Sequence, residues 1–175
     1  MWIALCSVLA FVLPAMASNV AEQLATTTQA STILLVAQDN TTNVTGWSFS
    51  GAPGSMNSTP VNSDGDGQVL NAPWKPVVLL NNTGVVTYKI ILNAAEFNDT
   101  GVAQVANEKY NVTWTNSSPA DPTQITGSLT AGTDMDTGQT VDGNSGQMSL
   151  WLKLTFGGSA AKMASSQFSV LGETQ

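Results

Sequence analysis

An acidic turn at residues 62–68 comes closer to a binding-site pattern than any other part of the sequence. Oxygen-bearing groups recur there at alternate positions, as in the first half of a calcium loop, where such oxygens surround one hard cation. The candidate ligands are Asn62, Asp64, Asp66 and Gln68. Asp and Gly are also ordinary turn formers that need no metal, so a calcium site and a plain turn both stay open.

Asparagine-linked glycosylation is the second chemistry that the residue pattern indicates. The acceptor pattern Asn-x-Ser/Thr occurs at Asn40, Asn43, Asn57, Asn81, Asn98, Asn111 and Asn116. Such a site is used only in an exported protein and at an exposed position. The sequence therefore predicts an extracellular chain that carries N-linked glycans.

Enzymatic chemistry finds little support in the composition. The chain has no His for general base work, and its single cysteine, Cys6, lies inside an apolar stretch. Glu96 and Glu108 are acids of the type that glycosidases use, but nothing beyond residue type supports such a pair. The net charge of −7, without any Arg, also argues against nucleic acid as a partner. We predict a protein that is not an enzyme and has no cofactor apart from the calcium considered above.

The first 17 residues contain no charged side chain. Two interpretations stay open: a signal peptide cleaved between Ala17 and Ser18, or a retained helix that continues through the small residues up to about residue 37. The retained helix is favoured, because no Lys or Arg precedes the apolar stretch as it would in a signal peptide. The apolar surface of such a helix would need a membrane or other copies of itself. The residues predicted to mediate this assembly are Trp2, Ile3, Leu5, Val8, Leu9, Phe11, Val12 and Leu13.

The remainder, residues 38–175, has the pattern of short strands. Apolar and polar residues alternate over 85–92, 110–115 and 147–156, which is typical of strands with one face on a core. Trp151 falls on the polar face of its strand, where it either contacts another subunit or is covered by a loop. The predicted fold class is mainly β: an N-terminal hydrophobic α-helix at 1–37, followed by a single Ig-like antiparallel β-sandwich at 38–175.

This order of an apolar helix and an Asn/Thr-rich sandwich resembles the archaeal type IV pilins and archaellins. The run from Pro76 to Gly84, which ends in Asn82-Thr83-Gly84, is similar to a strand-turn-strand of such surface domains. The resemblance implies a helical homopolymer outside the cell, with bundled helices in its core and glycosylated sandwiches outside. It also implies residence in the membrane before assembly, and a role in adhesion or motility.

A second resemblance is to the camelysin-type fibre proteins of biofilm matrices, which are secreted sandwiches that polymerise by donating a strand to the next subunit. Thr26–Gln38 would be that strand after cleavage at Ala17, and residues 167–175 resemble the last strand of those proteins. A third hypothesis, from another class, is a membrane-anchored module on the cell surface that binds glycans or calcium.

Overall fold

The computed structural model describes residues 19–27, 33–99, 110–157 and 163–174. Over these ranges the chain forms thirteen β-strands in two sheets and one short 3-10 helix, Pro122–Gln124. No helix in the described ranges is long and apolar enough to cross a membrane. The described chain is therefore mainly β.

The first sheet has seven strands, and its main path runs β11-β7-β13-β1-β3-β5, with β8 paired to β13. Its strands are β1 Asn19–Thr27, β3 Gly46–Gly51, β5 Val61–Asn62, β7 Tyr88–Ala94, β8 Asn98–Asp99, β11 Met135–Val141 and β13 Met163–Thr174. Every described pairing in this sheet is antiparallel except that of β1 with β13, which is parallel.

The second sheet has six strands in the path β10-β9-β12-β6-β2, with β4 paired to β12. Its strands are β2 Ile33–Val36, β4 Met56–Asn57, β6 Val78–Asn82, β9 Tyr110–Thr115, β10 Gly127–Ser128 and β12 Gly146–Phe156. The longest of them, β12, pairs with β9 along one edge and with β6 and β4 along the other.

One apolar core lies between the two sheets. The first sheet contributes Trp47, Phe49, Ile90, Leu92, Phe168 and Val170. The second sheet contributes Leu80, Tyr110, Val112, Leu150, Leu152, Leu154 and Phe156. Because every second residue of a strand points to the same face, the alternation in these segments is enough to build this layer. Phe97, Tyr110 and Phe156 add a chain of ring contacts, with centroids 4.6 and 6.2 Å apart.

The predicted fold class, an N-terminal helix followed by an Ig-like antiparallel sandwich, is wrong. Asn19–Thr27 and Ile33–Val36, both inside the predicted helix at 1–37, are strands that belong to the two sheets. A helical register of small residues was a weak signal, and pairing with distant strands overrides it. The predicted assembly residues lie outside the described ranges: Trp2, Ile3, Leu5, Val8, Leu9, Phe11, Val12 and Leu13.

Trp151 is covered by loops of its own chain. Its side chain is 3% exposed and packs in a small second cluster with Leu70 and Ile125, on the outer side of β12. Leu70 comes from the loop before β6, and Ile125 follows the 3-10 helix. Of the two interpretations of Trp151, the structure supports coverage by a loop.

Gln68 fills a gap in the second sheet with its side chain. On one edge of β12, pairing to β6 ends at Leu150 and pairing to β4 begins at Leu154, so Leu152 has no strand beside it on that edge. The Gln68 Oε1 accepts from the Leu152 N–H at 2.8 Å, and its Nε2 donates to the Leu152 carbonyl at 2.8 Å. Nε2 also donates to the Ser58 carbonyl. The buried amide thus replaces one residue of a missing strand.

Gln68→Leu is expected to lower the free energy of unfolding by at least ~2 kcal/mol, because it leaves buried N–H and C=O groups of the backbone without partners. Urea denaturation followed by fluorescence measures this change. The matched control is Gln147→Leu, the same substitution at an exposed position of β12, which we expect to change stability little. Equal losses in the two variants would contradict the role assigned to Gln68.

Candidate functional site

The structural feature with a clear functional implication is the space that β1 occupies in the first sheet, which we call the β1 slot. On one side β1 runs parallel to β13, from Val20 opposite Met163 to Thr27 opposite Val170. On the other side it runs antiparallel to β3, from Asn19 opposite Gly51 to Leu24 opposite Gly46. β1 is therefore an internal strand, although its partners are far away in sequence.

The two walls of the β1 slot contact each other beneath the strand. β3 and β13 are separated by the width of β1, since neighbouring strands lie about 4.8 Å apart. Trp47 of β3 and Phe168 of β13 nevertheless meet edge to face, with ring centroids 5.0 Å apart. Both side chains are buried in the core. The floor of the slot is thus built from the core itself, by residues of the strands that flank β1.

The backbone groups that line the slot need a strand to satisfy them. Without β1, the facing edges of β13 and β3 would present unpaired N–H and C=O groups over most of their length. A strand of suitable length satisfies both edges at once. The slot is therefore a site for an extended peptide segment, and its two edges fix the register and direction of that segment.

The acidic turn is closed by the side chain of Asn62. Asn62 is buried, and its Oδ1 accepts the N–H groups of Asp64 and Asp66, each at 3.0 Å. Its Nδ2 donates to the Val77 carbonyl at 3.1 Å. Oδ1 therefore faces N–H dipoles, which favour negative rather than positive charge.

The side chain of Gln68 forms hydrogen bonds with Leu152 of the second sheet, and the side chain of Asp64 is exposed. The structure brings Asn62, Asp64 and Asp66 together in one turn, in which the Asn62 oxygen accepts backbone N–H groups and does not point to a space for a cation. Within the described ranges no three acidic, His or Cys side chains are placed to hold a metal ion. Calcium binding at Asn62, Asp64, Asp66 and Gln68 stays a prediction without structural support.

The glycosylation sequons differ in their accessibility. Asn40, Asn43 and Asn111 are exposed, the first of them in a turn with φ of 62°. The half-buried positions are Asn57, Asn81 and Asn116, and Asn98 lies in β8. The Asn57 Nδ2 donates to the Ser50 carbonyl, and the Asn116 Nδ2 donates to the Gln139 Oε1. At Asn81, Oδ1 is buried without a hydrogen-bond partner among the described residues.

The residue pattern did not reveal the structural roles of two buried amides. Besides Gln68, Asn82 is fully buried, and its Nδ2 donates to the carbonyls of Val86 and Val141 at 2.7 and 3.2 Å. Its Oδ1 accepts the Gly84 N–H. These bonds hold the chain where it crosses from β6 in one sheet to β7 in the other. The only signal for this in the sequence is the Asn-Thr-Gly tripeptide, which favours a turn.

If the chain is glycosylated, we expect glycans at Asn40, Asn43 and Asn111 first, because their side chains are in water. Replacing each by Gln should remove one glycan mass from the protein isolated from its native source. Asn81→Gln, the matched control, should leave the mass of the attached glycans unchanged. Intact-mass spectrometry measures both, and glycan at Asn81 with none at the three exposed positions would contradict the ranking.

Comparison with known proteins gives no independent guide to the site. No family model matches the chain, and neither a curated protein nor a solved structure is significantly similar to it. The β1 slot, the closed acidic turn and the three exposed sequons are therefore the observations from which a function has to be argued.

Proposed function

We propose that this protein is a structural subunit of an extracellular filament, and that its subunits are joined by strand donation through β1. Each subunit would insert its β1 into the β1 slot of the next subunit, so that the sheets of neighbouring subunits share a strand. The exposed sequons Asn40, Asn43 and Asn111 would carry N-linked glycans on the outside of the filament. In this proposal the protein is not an enzyme.

The observation that carries the proposal is the parallel pairing of β1 with β13 in a sheet whose other described pairings are antiparallel. Antiparallel neighbours are commonly joined by short turns, whereas a parallel neighbour needs a crossover or comes from another chain. β1 also precedes all other described strands, and only residues 28–32 join it to β2 in the opposite sheet. Few connections would therefore have to change for β1 to leave its own sheet.

The energetics favour exchange once subunits are concentrated. A β1 strand from a neighbour makes the same backbone hydrogen bonds to β13 and β3 as the chain's own strand, so exchange of this element between identical chains has little intrinsic cost. A head-to-tail contact of this kind produces an open filament when its rotation does not close a ring. The Trp47–Phe168 contact supports the slot from below, because both rings belong to the acceptor subunit.

Strand donation replaces helix bundling as the means of assembly. Bundling relied on a continuous helix over 1–37, and two strands occupy part of that range. The donated strand also differs from the predicted one: Asn19–Thr27 lies in the slot, whereas Ile33–Val36, within the predicted Thr26–Gln38, belongs to the other sheet. The proposal thus keeps the filament and changes only the way in which its subunits are joined.

A disulfide trap tests donation between chains. Glu22 of β1 lies opposite Ser48 of β3, and directly opposite residues of an antiparallel pair are close enough for a disulfide after small adjustments. In a Cys6→Ser background, the variant Glu22→Cys/Ser48→Cys is assembled and mildly oxidised. Donation between chains predicts a ladder of covalent multimers on a non-reducing gel.

The control variant combines Glu22→Cys with Met56→Cys, because Met56 is 54% exposed and lies in the other sheet. It should give no ladder. Filaments whose Glu22→Cys/Ser48→Cys subunits run only as internally bridged monomers would refute donation through β1. Electron microscopy of the same samples establishes whether filaments are present.

A further inference from the structure

An open groove lies where the turn after β2 meets the loop that leads into β6. Its volume is about 420 Å³, within the range of sites for small molecules. Trp74, Pro76 and Leu79 provide its apolar lining, while Asp39, Asp66 and Lys75 provide its charges. We call it the Trp74 groove.

Trp74 differs from the other described tryptophans. Its side chain is 51% exposed, whereas Trp47, Trp114 and Trp151 are at most 7% exposed. A large aromatic ring half in water leaves apolar surface uncovered, and Leu79 and Pro76 extend that surface along the groove. Such a surface next to charged groups suits a flat ligand that is apolar on one face and polar around its rim.

The groove is held in shape by hydrogen bonds on both sides of Trp74. Val69 and Lys75 exchange two backbone hydrogen bonds, at 2.8 and 3.0 Å, and thereby close the loop that presents the ring. Gln38 Nε2 donates to the carbonyls of Gly67 and Pro76, both at 3.1 Å, and ties the turn after β2 to this loop. A ligand would therefore meet walls that are already formed, which reduces the entropy lost on binding.

The charged groups of the groove have different roles. The Asp39 carboxylate accepts two backbone N–H groups and two hydroxyls from Thr41 and Thr42, at 2.7–2.9 Å. These bonds, led by the Thr42 N–H, hold the pKa of Asp39 well below its usual range, so that it is a fixed negative charge. The Asp66 carboxylate and the Lys75 ammonium form no hydrogen bond or ion pair within the described chain, and both are available to a ligand.

From this arrangement we propose that the Trp74 groove binds a neutral sugar ring of a glycan chain. The apolar C–H face of the ring would stack on Trp74, and its hydroxyls would donate to Asp66 and accept from Lys75. A wholly apolar ligand would cover these two charged groups without partners, at a cost in free energy. Two carboxylates against one ammonium also repel anionic sugars and phosphates. This proposal does not depend on strand donation.

The experiment uses the full chain on a glycan array that carries neutral oligosaccharides, oligosaccharides with carboxylate or sulfate groups, and the glycans released from the protein itself. We expect retention on neutral hexose chains and little on the acidic ones. The released glycans show whether the ligand can be carried by another copy of the chain. Trp74→Ala should weaken binding at least about tenfold, as loss of an aromatic anchor does. Asp66→Ala should weaken it several-fold.

The matched control is Met56→Ala, because Met56 is as exposed as Trp74 but lies in β4, outside the groove. It should bind as the unchanged protein does, and equal unfolding midpoints would show that all variants are folded. Quenching by acrylamide adds an independent measurement, since a bound sugar should protect Trp74, the exposed one among the four tryptophans that the structure describes. Absence of binding to every neutral oligosaccharide, or binding unchanged in Trp74→Ala, would overturn the proposal.

Discussion

The first sheet depends on the pairing of β1 with both β13 and β3. An internal strand satisfies the backbone groups of two neighbours, and a sheet cannot leave such groups unpaired in its interior without a large free-energy cost. The side chains beneath do not share this dependence, because Trp47 and Phe168 contact each other directly. The proposed donation would therefore replace the backbone pairing of β1, while the contact between Trp47 and Phe168 involves neither donor nor strand β1.

The second sheet and the connections between the sheets rely on buried side-chain amides. Gln68 replaces one residue of a strand beside Leu152, Asn62 closes the acidic turn, and Asn82 holds the crossing from β6 to β7. An amide carries both donors and an acceptor, so it can take the place of a peptide group where the chain cannot continue a strand. Irregular loops can thus cover a regular core without leaving its edges unsatisfied.

The sequence predicts best the strands in which apolar and polar residues alternate over the whole length, with the apolar face on the core. The strand predicted at 147–156 is observed as β12, Gly146–Phe156, and the strand predicted at 110–115 is observed as β9 with the same bounds. β7 begins at Tyr88 rather than Val85, because residues 83–87 cross between the sheets, and Val85 is exposed. Local periodicity could not reveal β1, since Val20 pairs with Met163, 143 residues away, and small residues suit a helix equally well.

The roles of Gln68 and Asn82 were missed for the same reason, because Gln68 pairs with the distant Leu152 and Asn82 donates to the distant Val141. Trp74 could have been suspected from its position between Pro73 and Lys75-Pro76, where a large aromatic ring has no strand to support it. Gln38 and Asp39, however, reach the groove from a separate turn. Contacts that long-range pairing creates leave no local signal in the residue pattern.

The position of β1 between β13 and β3 has a consequence for the ends of the proposed filament. A chain of donors and acceptors has one terminal subunit whose acceptor edges are unfilled and, at the opposite terminus, a subunit whose strand has no recipient. These termini differ chemically: one exposes hydrogen-bonding edges above an aromatic floor, the other a single extended segment. Such a polymer is directional, and a short peptide could block elongation at only one of its two tips.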